Sequence, residues 1–506
     1  MKTVPWAVYA PTSRKKQWKP DGIVWKTVAL KVKRLQIRIA KAAKLKRFRK
    51  MQSLQWILAH SHYGKLIAIR RVTSNRGKNT PGIDGVVLKT PRQKTHAVKQ
   101  LQRHGYRAYP LRRVYIPKKN GKLRPLGIPT MRDRAMQALY ALTLVPIAET
   151  FADPNSYGFR ECRSCADALQ RCFIGLSQRF SPEWVLEADI AACFDNISHE
   201  WILNHIPVDK KILKEWLNAG YMEKGELYPT LKGTPQGGII SPLLMNMTLD
   251  GLEAAARKAV PWYIPGTKMR NGVAAIRYAD DFVVTSKSRE LLEERVLPAI
   301  KAFLLERGLT LSEEKTRIVN VKEGFEFLGQ HVRKYANGKL IIKPTSGSLR
   351  KVENTIEETL KSHNVGSASS MIRRLNQITG GYCNYHRSCC ASSTFGKLDT
   401  WVYNAIRRWL HGQHPNKGRQ WIIRKYYRSS KAYRWIFHAT RMGKDGKKEV
   451  LDLQKACQTK IRRHTKIRAE ANPYDPLYMN YFAERKRNKR YYNSDKRSVE
   501  EYGQSV

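Results

Sequence analysis

Two adjacent aspartates, Asp280 and Asp281, lie between two short runs of residues that favour β-strands. Residues 274–277 precede them and residues 282–285 follow them, so the pattern predicts a strand, a tight turn and a second strand with both acids at the tip. A third acid, Asp189, ends an apolar run that is typical of a buried strand. A carboxylate in that position is costly to bury unless it is paired or bound to a cation. The tip of the hairpin is therefore expected to approach the end of the Asp189 strand.

Carboxylates gathered at one place indicate a metal site. They repel each other, whereas hard Mg²⁺ ions take oxygen ligands and can hold an attacking 3′-hydroxyl and a leaving pyrophosphate in line. The three acids therefore predict nucleotidyl transfer with Mg²⁺ as the cofactor, bound as a pair of ions. For the Asp-Asp pair alone an alternative stays open, because acids in a hairpin turn are most often turn formers only.

The net charge of the chain indicates a polyanionic partner. It is +53, from 94 Lys plus Arg against 41 Asp plus Glu, and 10% of the residues are aromatic. Such an excess attracts phosphate, and the aromatic rings add faces on which bases can stack. Residues 1–60 contain 16 Lys plus Arg against one Asp, and the apolar spacing over residues 30–57 predicts a basic amphipathic helical region. The one-sided charge favours RNA contact over a merely solvated helix face.

Other functional classes are excluded by what the sequence lacks. No apolar run approaches the roughly 18 residues that a spanning helix needs, and the N-terminus has no apolar signal core, so no membrane contact is expected. Eight cysteines are scattered, and the single C-x-x-C, Cys162 to Cys165, has no second pair at zinc spacing. We therefore expect no disulfides and no structural zinc, and we expect a soluble protein of the bacterial cytoplasm.

The order of patterns along the chain predicts an α+β fold. Residues 115–126 place Asn120-Gly121 between two strand-like runs, which is the signal for a tight hairpin with a cationic tip. Residues 129–177 have a helical pattern, strands and helices alternate over residues 183–329, and the chain beyond Lys343 is expected to be mostly helical.

Tyr278-Ala279-Asp280-Asp281 between apolar strands, with Asp189 upstream and Phe194 five residues after it, resembles the catalytic signature of reverse transcriptases. The whole chain resembles the group II intron-encoded subfamily of these enzymes. The resemblance implies a right-hand polymerase that copies RNA into DNA, with fingers, a palm built on an antiparallel sheet, and a helical thumb. The metal ligands that it implies are Asp189, Ile190, Asp280 and Asp281.

Two segments resemble the part of the family that selects the nucleotide. The aromatic residue at the Phe194 position packs under the sugar of the incoming nucleotide, where a 2′-hydroxyl would clash. The resemblance therefore implies that Phe194 selects deoxynucleotides, with a core phenylalanine as the alternative. Residues 233–238 resemble the Pro-Gln-Gly segment of the family, which implies that Gln236 contacts the nucleotide or the nascent base pair.

Cations near the triphosphate are implied by two further segments. The hairpin at residues 115–126 resembles the fingers, and its candidates for binding the triphosphate are Lys118, Lys122 and Arg124. Residues 311–316 resemble the motif in which a lysine lies near the leaving group and acts as a general acid. This lysine is Lys315, for which a solvated surface position is the alternative.

The resemblance extends beyond the polymerase. Residues 34–85 resemble the N-terminal extension of intron-encoded enzymes, residues 375–385 the thumb or maturase X domain, and residues 408–427 the stretch that leads into a DNA-binding region. The predicted domains are a basic N-terminal extension (1–85), fingers and palm (86–340), thumb and X domain (341–415), and a basic DNA-binding region (416–506). The cations expected to contact nucleic acid are Arg34, Arg38, Lys44, Arg47, Arg408, His414, Lys417 and Arg419.

Two segments differ from the family pattern. Glu161-Cys162 stands where relatives commonly have Pro-Gly. Residues 472–482 resemble the sequence that precedes a His-Asn-His endonuclease in longer relatives, but no cysteine pairs or paired histidines follow. We therefore expect this endonuclease to be absent and the primer to come from elsewhere.

The leading hypothesis is a reverse transcriptase and RNA maturase. It would bind a group II intron RNA, assist splicing, and copy the intron into target DNA with deoxynucleoside triphosphates. One alternative is an RNA-binding splicing factor with an inactive polymerase, although all the signature residues remain. Another is a reverse transcriptase of a retron, a diversity-generating element or a CRISPR-linked system, which the X-like and basic downstream segments disfavour.

Overall fold

The computed structural model describes residues 18, 22–117, 121, 123–234, 237–263, 270–362, 367–430, 434–442 and 446–488. They form two compact units of mixed helices and sheets. Unit 1 lies within residues 1–168, 186–318 and 467–506, and unit 2 lies within residues 169–185 and 319–466. None of the helices in these ranges combines the length and apolar character that a membrane crossing needs.

The α-helices follow in chain order. They are α1 (Trp25–Lys44), α2 (Phe48–His60), α3 (His62–Ser74), α4 (Pro91–Gln100), α5 (Met131–Phe151), α6 (Cys165–Leu176), α7 (Cys193–Asn196), α8 (His199–His205), α9 (Lys210–Leu217), α10 (Ser241–Leu249), α11 (Leu252–Lys258), α12 (Arg289–Leu291), α13 (Leu297–Leu305), α14 (Ser346–Ser362), α15 (Ala368–His386), α16 (Ser392–Gln413) and α17 (Arg419–Tyr426). A π-helical turn, Leu292–Val296, joins α12 to α13.

The strands form four sheets in the described ranges. They are β1 (Leu111–Pro117), β2 (Leu123–Ile128), β3 (Trp184–Asp189), β4 (Tyr221–Glu223), β5 (Glu226–Tyr228), β6 (Ala274–Tyr278), β7 (Asp281–Ser286), β8 (Arg317–Asn320), β9 (Phe325–Phe327), β10 (Gln330–Lys334), β11 (Leu340–Pro344), β12 (Tyr427–Arg428), β13 (Ile436–Met442) and β14 (Lys448–Asp452). The sheet orders are β2-β1-β4-β5, β6-β7-β3-β8, β11-β10-β9 and β12-β13-β14.

The basic N-terminal region of unit 1 contains the helices α1 and α2. Helices α1 and α2 meet at a turn in which Lys46 has a positive φ of 53°, and both pack against α5. Helix α1 buries Val28, Val32 and Ile39 on one face, while its cations lie mostly on the exposed face. The amphipathic prediction is therefore confirmed, because the apolar positions recur at the helical spacing that places them on one side.

The sheet β6-β7-β3-β8 carries the acids. Strands β6 and β7 pair antiparallel up to Tyr278 with Asp281, which leaves Ala279 and Asp280 at the tip. Strand β3, which ends at Asp189, is the next strand beside β7. The predicted strand, turn and strand are confirmed, and so is their approach to the Asp189 strand.

The predicted hairpin over residues 115–126 is also present. Strands β1 and β2 pair antiparallel from Arg112 with Ile128 to Pro117 with Leu123. Strand β1 additionally pairs parallel with β4, so the hairpin belongs to a larger sheet than the sequence suggested. Lys118, Asn120 and Lys122 lie outside the described residues.

Unit 2 corrects the expectation that the chain beyond Lys343 is mostly helical. Helices α14 to α17 follow the prediction, but β12, β13 and β14 then form an antiparallel sheet. The signal was available, because residues 436–442 and 448–452 have strand-like compositions around a glycine-containing turn. The many Lys and Arg residues in this stretch weakened the apolar alternation that identifies a strand.

His386 links two helices of unit 2 and predicts a pH dependence. It is 1% exposed at the end of α15, its Nε2 lies 2.9 Å from the Ser348 hydroxyl on α14, and burial lowers its pKa from 6.5 to about 4. The unfolded chain therefore binds the proton first as the pH falls. The free energy of unfolding of unit 2 should drop by about 3 kcal/mol between pH 6.5 and pH 4.

Chemical denaturation at several pH values checks this prediction, with His386→Gln as the comparison. Carboxylates titrate in the same range, so the difference between the two proteins is the informative quantity. The free energy of unfolding of His386→Gln should fall less steeply between pH 6.5 and pH 4 than that of the wild type. An identical dependence on pH in both proteins would contradict the prediction.

Candidate active site

The three predicted acids lie together in unit 1. The Ile190 backbone N–H donates to the Asp280 carbonyl at 3.3 Å, which joins the end of β3 to the hairpin tip. The Lys315 ammonium forms an ion pair with the Asp189 carboxylate. The Ser312 N–H donates to the Asp189 carbonyl at 2.8 Å, so the segment that carries Lys315 is held beside the same strand end. Lys315 therefore lies beside the acids, and its predicted role as a general acid stays a prediction.

Burial and neighbouring charges raise the pKa values of Asp280 and Asp281. Burial raises the pKa of Asp281 to about 7, and the charges of Asp189 and Asp280 add to the effect. Burial and the Asp189 charge also raise the pKa of Asp280. The hydrogen bond to Asp189 raises the pKa of Lys315, which keeps this ammonium charged. The site thus concentrates negative charge, which a bound cation or a proton would relieve.

The chemistry of these donors fits a divalent metal ion. Carboxylate oxygens are the ligands that hard divalent cations take, and Lys315 already supplies a positive charge to one of them. Within the described residues, no three His, Cys, Asp or Glu side chains form a group close enough to hold a metal ion. The acids thus offer the donor atoms that a divalent metal ion takes, but their arrangement as a coordination set is not formed among the described residues and stays a prediction.

Phe194 lies on the short helix α7, five residues after Asp189 in the chain. Ala192, with a left-handed φ of 43°, precedes α7, and Phe194 is only half-buried, so it is not one of the fully buried core residues. A Cβ on Gly233 would lie 2.5 Å from the Asp195 carbonyl, so only glycine allows this close approach. The Thr234 N–H donates to the Phe194 carbonyl at 2.6 Å.

The other side of the Pro-Gln-Gly segment contacts strand β2. A Cβ on Gly237 would lie 2.7 Å from the Gly127 carbonyl, and the Ile239 N–H donates to the Gln137 side chain at 2.8 Å. Pro235 and Gln236 themselves lie outside the described residues. Their flanking residues thus connect the Phe194 turn to the strand that carries Arg124.

Of the three fingers cations predicted to bind the triphosphate, Arg124 is the one among the described residues. It is half-buried on β2, and its charge lowers the pKa of Asp280 against the effect of burial. This interaction places the guanidinium on the side of the acids. Lys118 and Lys122, the two other candidates, are outside the described residues.

Three family models match parts of this chain. Residues 116–332 match the model of the reverse transcriptase, an RNA-dependent DNA polymerase. Residues 18–101 match the N-terminal domain of reverse transcriptase, and residues 349–427 match the maturase-specific domain of group II introns. Protein YkfC of Escherichia coli K12 is 35% identical over 302 residues, which are 52% of this chain and 79% of YkfC. The chain belongs to the group II intron-encoded reverse transcriptases.

Two further relatives are similar to part of this chain. The group II intron-encoded protein LtrA of Lactococcus lactis is 31% identical over 56% of this reverse transcriptase and 57% of LtrA. An uncharacterized 91 kDa protein in a cob intron of Schizosaccharomyces pombe is 27% identical over 68% of this chain and 51% of that protein. The chain thus spans little more than half the length of these two relatives. A telomerase structure from Candida albicans aligns over 63% of the chain with 12% identity and a TM-score of 0.37, which is too low to indicate a shared fold by itself.

The cations predicted to contact nucleic acid are mostly exposed. In unit 1 of this reverse transcriptase, Arg34, Arg38 and Arg47 are exposed, and Lys44 forms an ion pair of 2.9 Å with Asp475. In unit 2, the exposed members are Arg408, Lys417 and Arg419. His414 differs, because its Nε2 lies 2.7 Å from the Tyr426 hydroxyl and its ring packs edge-on to Trp421.

Sequence analysis missed two charged residues of this reverse transcriptase. Glu187 forms an ion pair with Arg317, and its charge contributes to the raised pKa of Asp281. Arg277 is buried behind the hairpin tip. Each is a charged residue inside an otherwise apolar strand, and Glu187 lies two residues before Asp189 and so on the same face. That alternation was the available signal.

Proposed function

We propose that this reverse transcriptase binds a group II intron RNA, assists its splicing and reverse splicing, and copies it into DNA during intron mobility. The observation that carries the proposal is the convergence of Asp189, Asp280 and Asp281 at adjoining strand ends, beside the cations Arg124 and Lys315. The match of residues 349–427 to the intron maturase domain supports the RNA partner. Target DNA and deoxynucleoside triphosphates are the other proposed partners.

The finer architecture is part of the proposal. Sheet β6-β7-β3-β8 is the palm, the β1-β2 hairpin belongs to the fingers, and helices α14 to α16 supply the thumb. The domain boundaries proposed are 1–85, 86–340, 341–415 and 416–506, with the last range as the DNA-binding region. The bacterial cytoplasm is the proposed location.

Each residue of the site has a proposed task. Asp189, Asp280, Asp281 and the Ile190 backbone would hold Mg²⁺ ions, which when bound activate the primer hydroxyl and neutralise the leaving pyrophosphate. Arg124, with Lys118 and Lys122, attracts the triphosphate. Lys315, kept protonated beside Asp189, is placed to give a proton to the leaving group. Gln236 contacts the nascent base pair.

Primer extension tests the proposed function directly. The full chain is expected to extend a DNA primer annealed to an RNA template with deoxynucleotides and Mg²⁺. EDTA should abolish extension and added Mg²⁺ should restore it. Splicing of the intron RNA that surrounds its gene is measured in parallel, and no extension with any divalent cation would contradict the proposal. Splicing without extension would support an inactive polymerase that acts as a splicing factor, and extension without splicing a reverse transcriptase of another system.

Phe194→Ala is expected to relax the choice of sugar. If the half-buried Phe194 ring fills the space of the 2′-hydroxyl, its removal should raise ribonucleotide incorporation by roughly 10- to 200-fold relative to deoxynucleotide incorporation. Single-nucleotide kcat/KM values for the matched dNTP and NTP check this. Phe180→Ala, which removes an exposed ring elsewhere, is the control. Unchanged discrimination in Phe194→Ala would refute the assignment.

A further inference from the structure

Arg277 is a buried cation directly behind the hairpin tip. Its side chain is 2% exposed in an apolar strand, so its guanidinium needs acceptors within the protein. Nη1 donates to the Asn246 side-chain oxygen at 3.0 Å and to the Ala279 carbonyl at 3.3 Å. Nη2 donates to the Asp250 carboxylate at 2.7 Å and to the Asn246 carbonyl at 3.4 Å. One guanidinium therefore ties the tip of the hairpin to helix α10 and the residue that follows it.

The tip that Arg277 holds is strained. Ala279 is the first central residue of the turn and has a φ of 62°, a conformation for which two-residue hairpins favour glycine. A Cβ on Gly158 would lie 2.4 Å from the Ala279 nitrogen, so the Gly158 backbone packs directly against the turn. A strained turn of this kind persists only where its surroundings hold it in place.

Asn246 hydrogen-bonds both Arg277 and Gly158, the two residues that contact the turn. Its side-chain oxygen accepts from Arg277, and its side-chain nitrogen donates to the Gly158 carbonyl at 2.8 Å. Helix α10, which carries Asn246, begins directly after the Pro-Gln-Gly segment. Helix α10 therefore contacts the support of the acid-bearing turn through Asn246. In the chain it directly follows the segment that contacts the Phe194 turn.

We propose that Arg277 is a positioning residue that holds the Ala279 carbonyl against Asn246 and Asp250, and thereby sets where Asp280 and Asp281 present their carboxylates. The inference rests on the proposed function for the consequence in catalysis. Lysine cannot replace this arginine, because an ammonium is a point charge and cannot reach acceptors on several sides through one planar fork. The role differs from bulk stabilisation, since it acts on one turn.

Arg277→Lys and Arg160→Lys form a matched pair for the test. Arg160 is another buried arginine of unit 1, but it binds Glu149 and the carbonyls of Asp153 and Ser156 instead of the turn. Arg277→Lys should lower kcat for primer extension by roughly 10- to 100-fold with little change in the Kd for primed RNA, because small displacements of reacting groups have effects of this size. Arg160→Lys should lower the melting temperature and leave kcat of the folded enzyme near wild type.

Two readouts do not depend on polymerisation. Hydrogen exchange should become faster in the peptide that spans residues 278–281 of Arg277→Lys and stay unchanged there in Arg160→Lys. Mn²⁺ binding, followed by electron paramagnetic resonance, should weaken in Arg277→Lys only. If the wild type fails to extend primers while these differences are present, the proposed function fails and the positioning role stands.

The opposite results overturn the inference. A lower melting temperature with wild-type kcat, exchange and Mn²⁺ binding in Arg277→Lys would assign Arg277 to stability alone. If Arg277→Lys shows no cooperative unfolding, Asp250→Asn decides by the same measurements, since it keeps the shape of the acceptor and removes its charge. Wild-type values of all three quantities in Asp250→Asn would then refute the positioning role.

Discussion

Replacing Asp280 and Asp281 together by asparagine is expected to reduce primer extension by at least about 10³-fold, because a catalytic metal site supplies several kcal/mol of transition-state stabilisation and each 1.36 kcal/mol is a factor of ten. The same variant should melt at an equal or higher temperature. Burial and the neighbouring charges raise the pKa values of both acids, so their ionised forms oppose folding at pH values above the ordinary pKa of an aspartate. Lost activity with retained stability is the expected signature of a functional site.

Single-turnover extension and thermal unfolding measure the two effects on one preparation. Glu293→Gln/Glu294→Gln is the matched control, because it neutralises another adjacent pair of acids that is exposed in the same unit. RNA binding and splicing should persist in the Asp280 and Asp281 variant if the RNA surface is separate from the acids. Extension at the wild-type rate would disprove the metal site, whereas loss of extension, splicing and cooperative melting together would indicate misfolding.

Truncation of the chain after residue 466 is expected to destabilise unit 1 strongly. Asp167, which is 1% exposed, accepts from the Ile467 N–H at 2.7 Å and from Arg485 at 2.9 Å. Arg163, itself buried, donates to the Ala469 carbonyl at 2.9 Å. Removing the partner of a buried charge costs about 3–5 kcal/mol, against a total stability of about 5–15 kcal/mol for a typical domain.

Tyr474 adds a second anchor to this segment. It is buried, its hydroxyl hydrogen-bonds the Glu161 carboxylate, and the Lys33 ammonium lies 3.6 Å from the centre of its ring. Helix α1 and the 149–161 region therefore meet at this tyrosine. Glu161, one of the two residues that differ from the family pattern, therefore has a structural partner in residues 467–488.

Calorimetry of the truncated and full chains checks the expected loss. Leu477→Ser, which changes an 81% exposed residue in the same segment, should leave the melting temperature unchanged. A truncated protein that melts and extends primers like the full chain would show that residues 467–488 are a separable tail. The expected result would instead limit the DNA-binding region proposed for 416–506 to residues before 467.

Local patterns were sufficient for the centre of the site. Alternating apolar residues on either side of Asp280 and Asp281 predict a hairpin, because strand formation and a tight turn depend on neighbours in the chain. Asp189 at the end of an apolar run predicts a second strand for the same reason. The large net positive charge of the chain likewise predicts a polyanionic partner without any knowledge of the fold.

Only the tertiary structure decided which groups support those acids. The acceptors of Arg277, Asn246 and Asp250, lie 31 and 27 residues away in the chain, and the segment after Ile467 meets Asp167 across 300 residues. Whether a buried charge is tolerated depends on the partners that folding brings to it, and no local pattern encodes them. Local sequence patterns therefore determined that the three acids lie at strand ends and a hairpin tip, and the long-range packing of α10 and Gly158 decided what holds the turn that carries two of them.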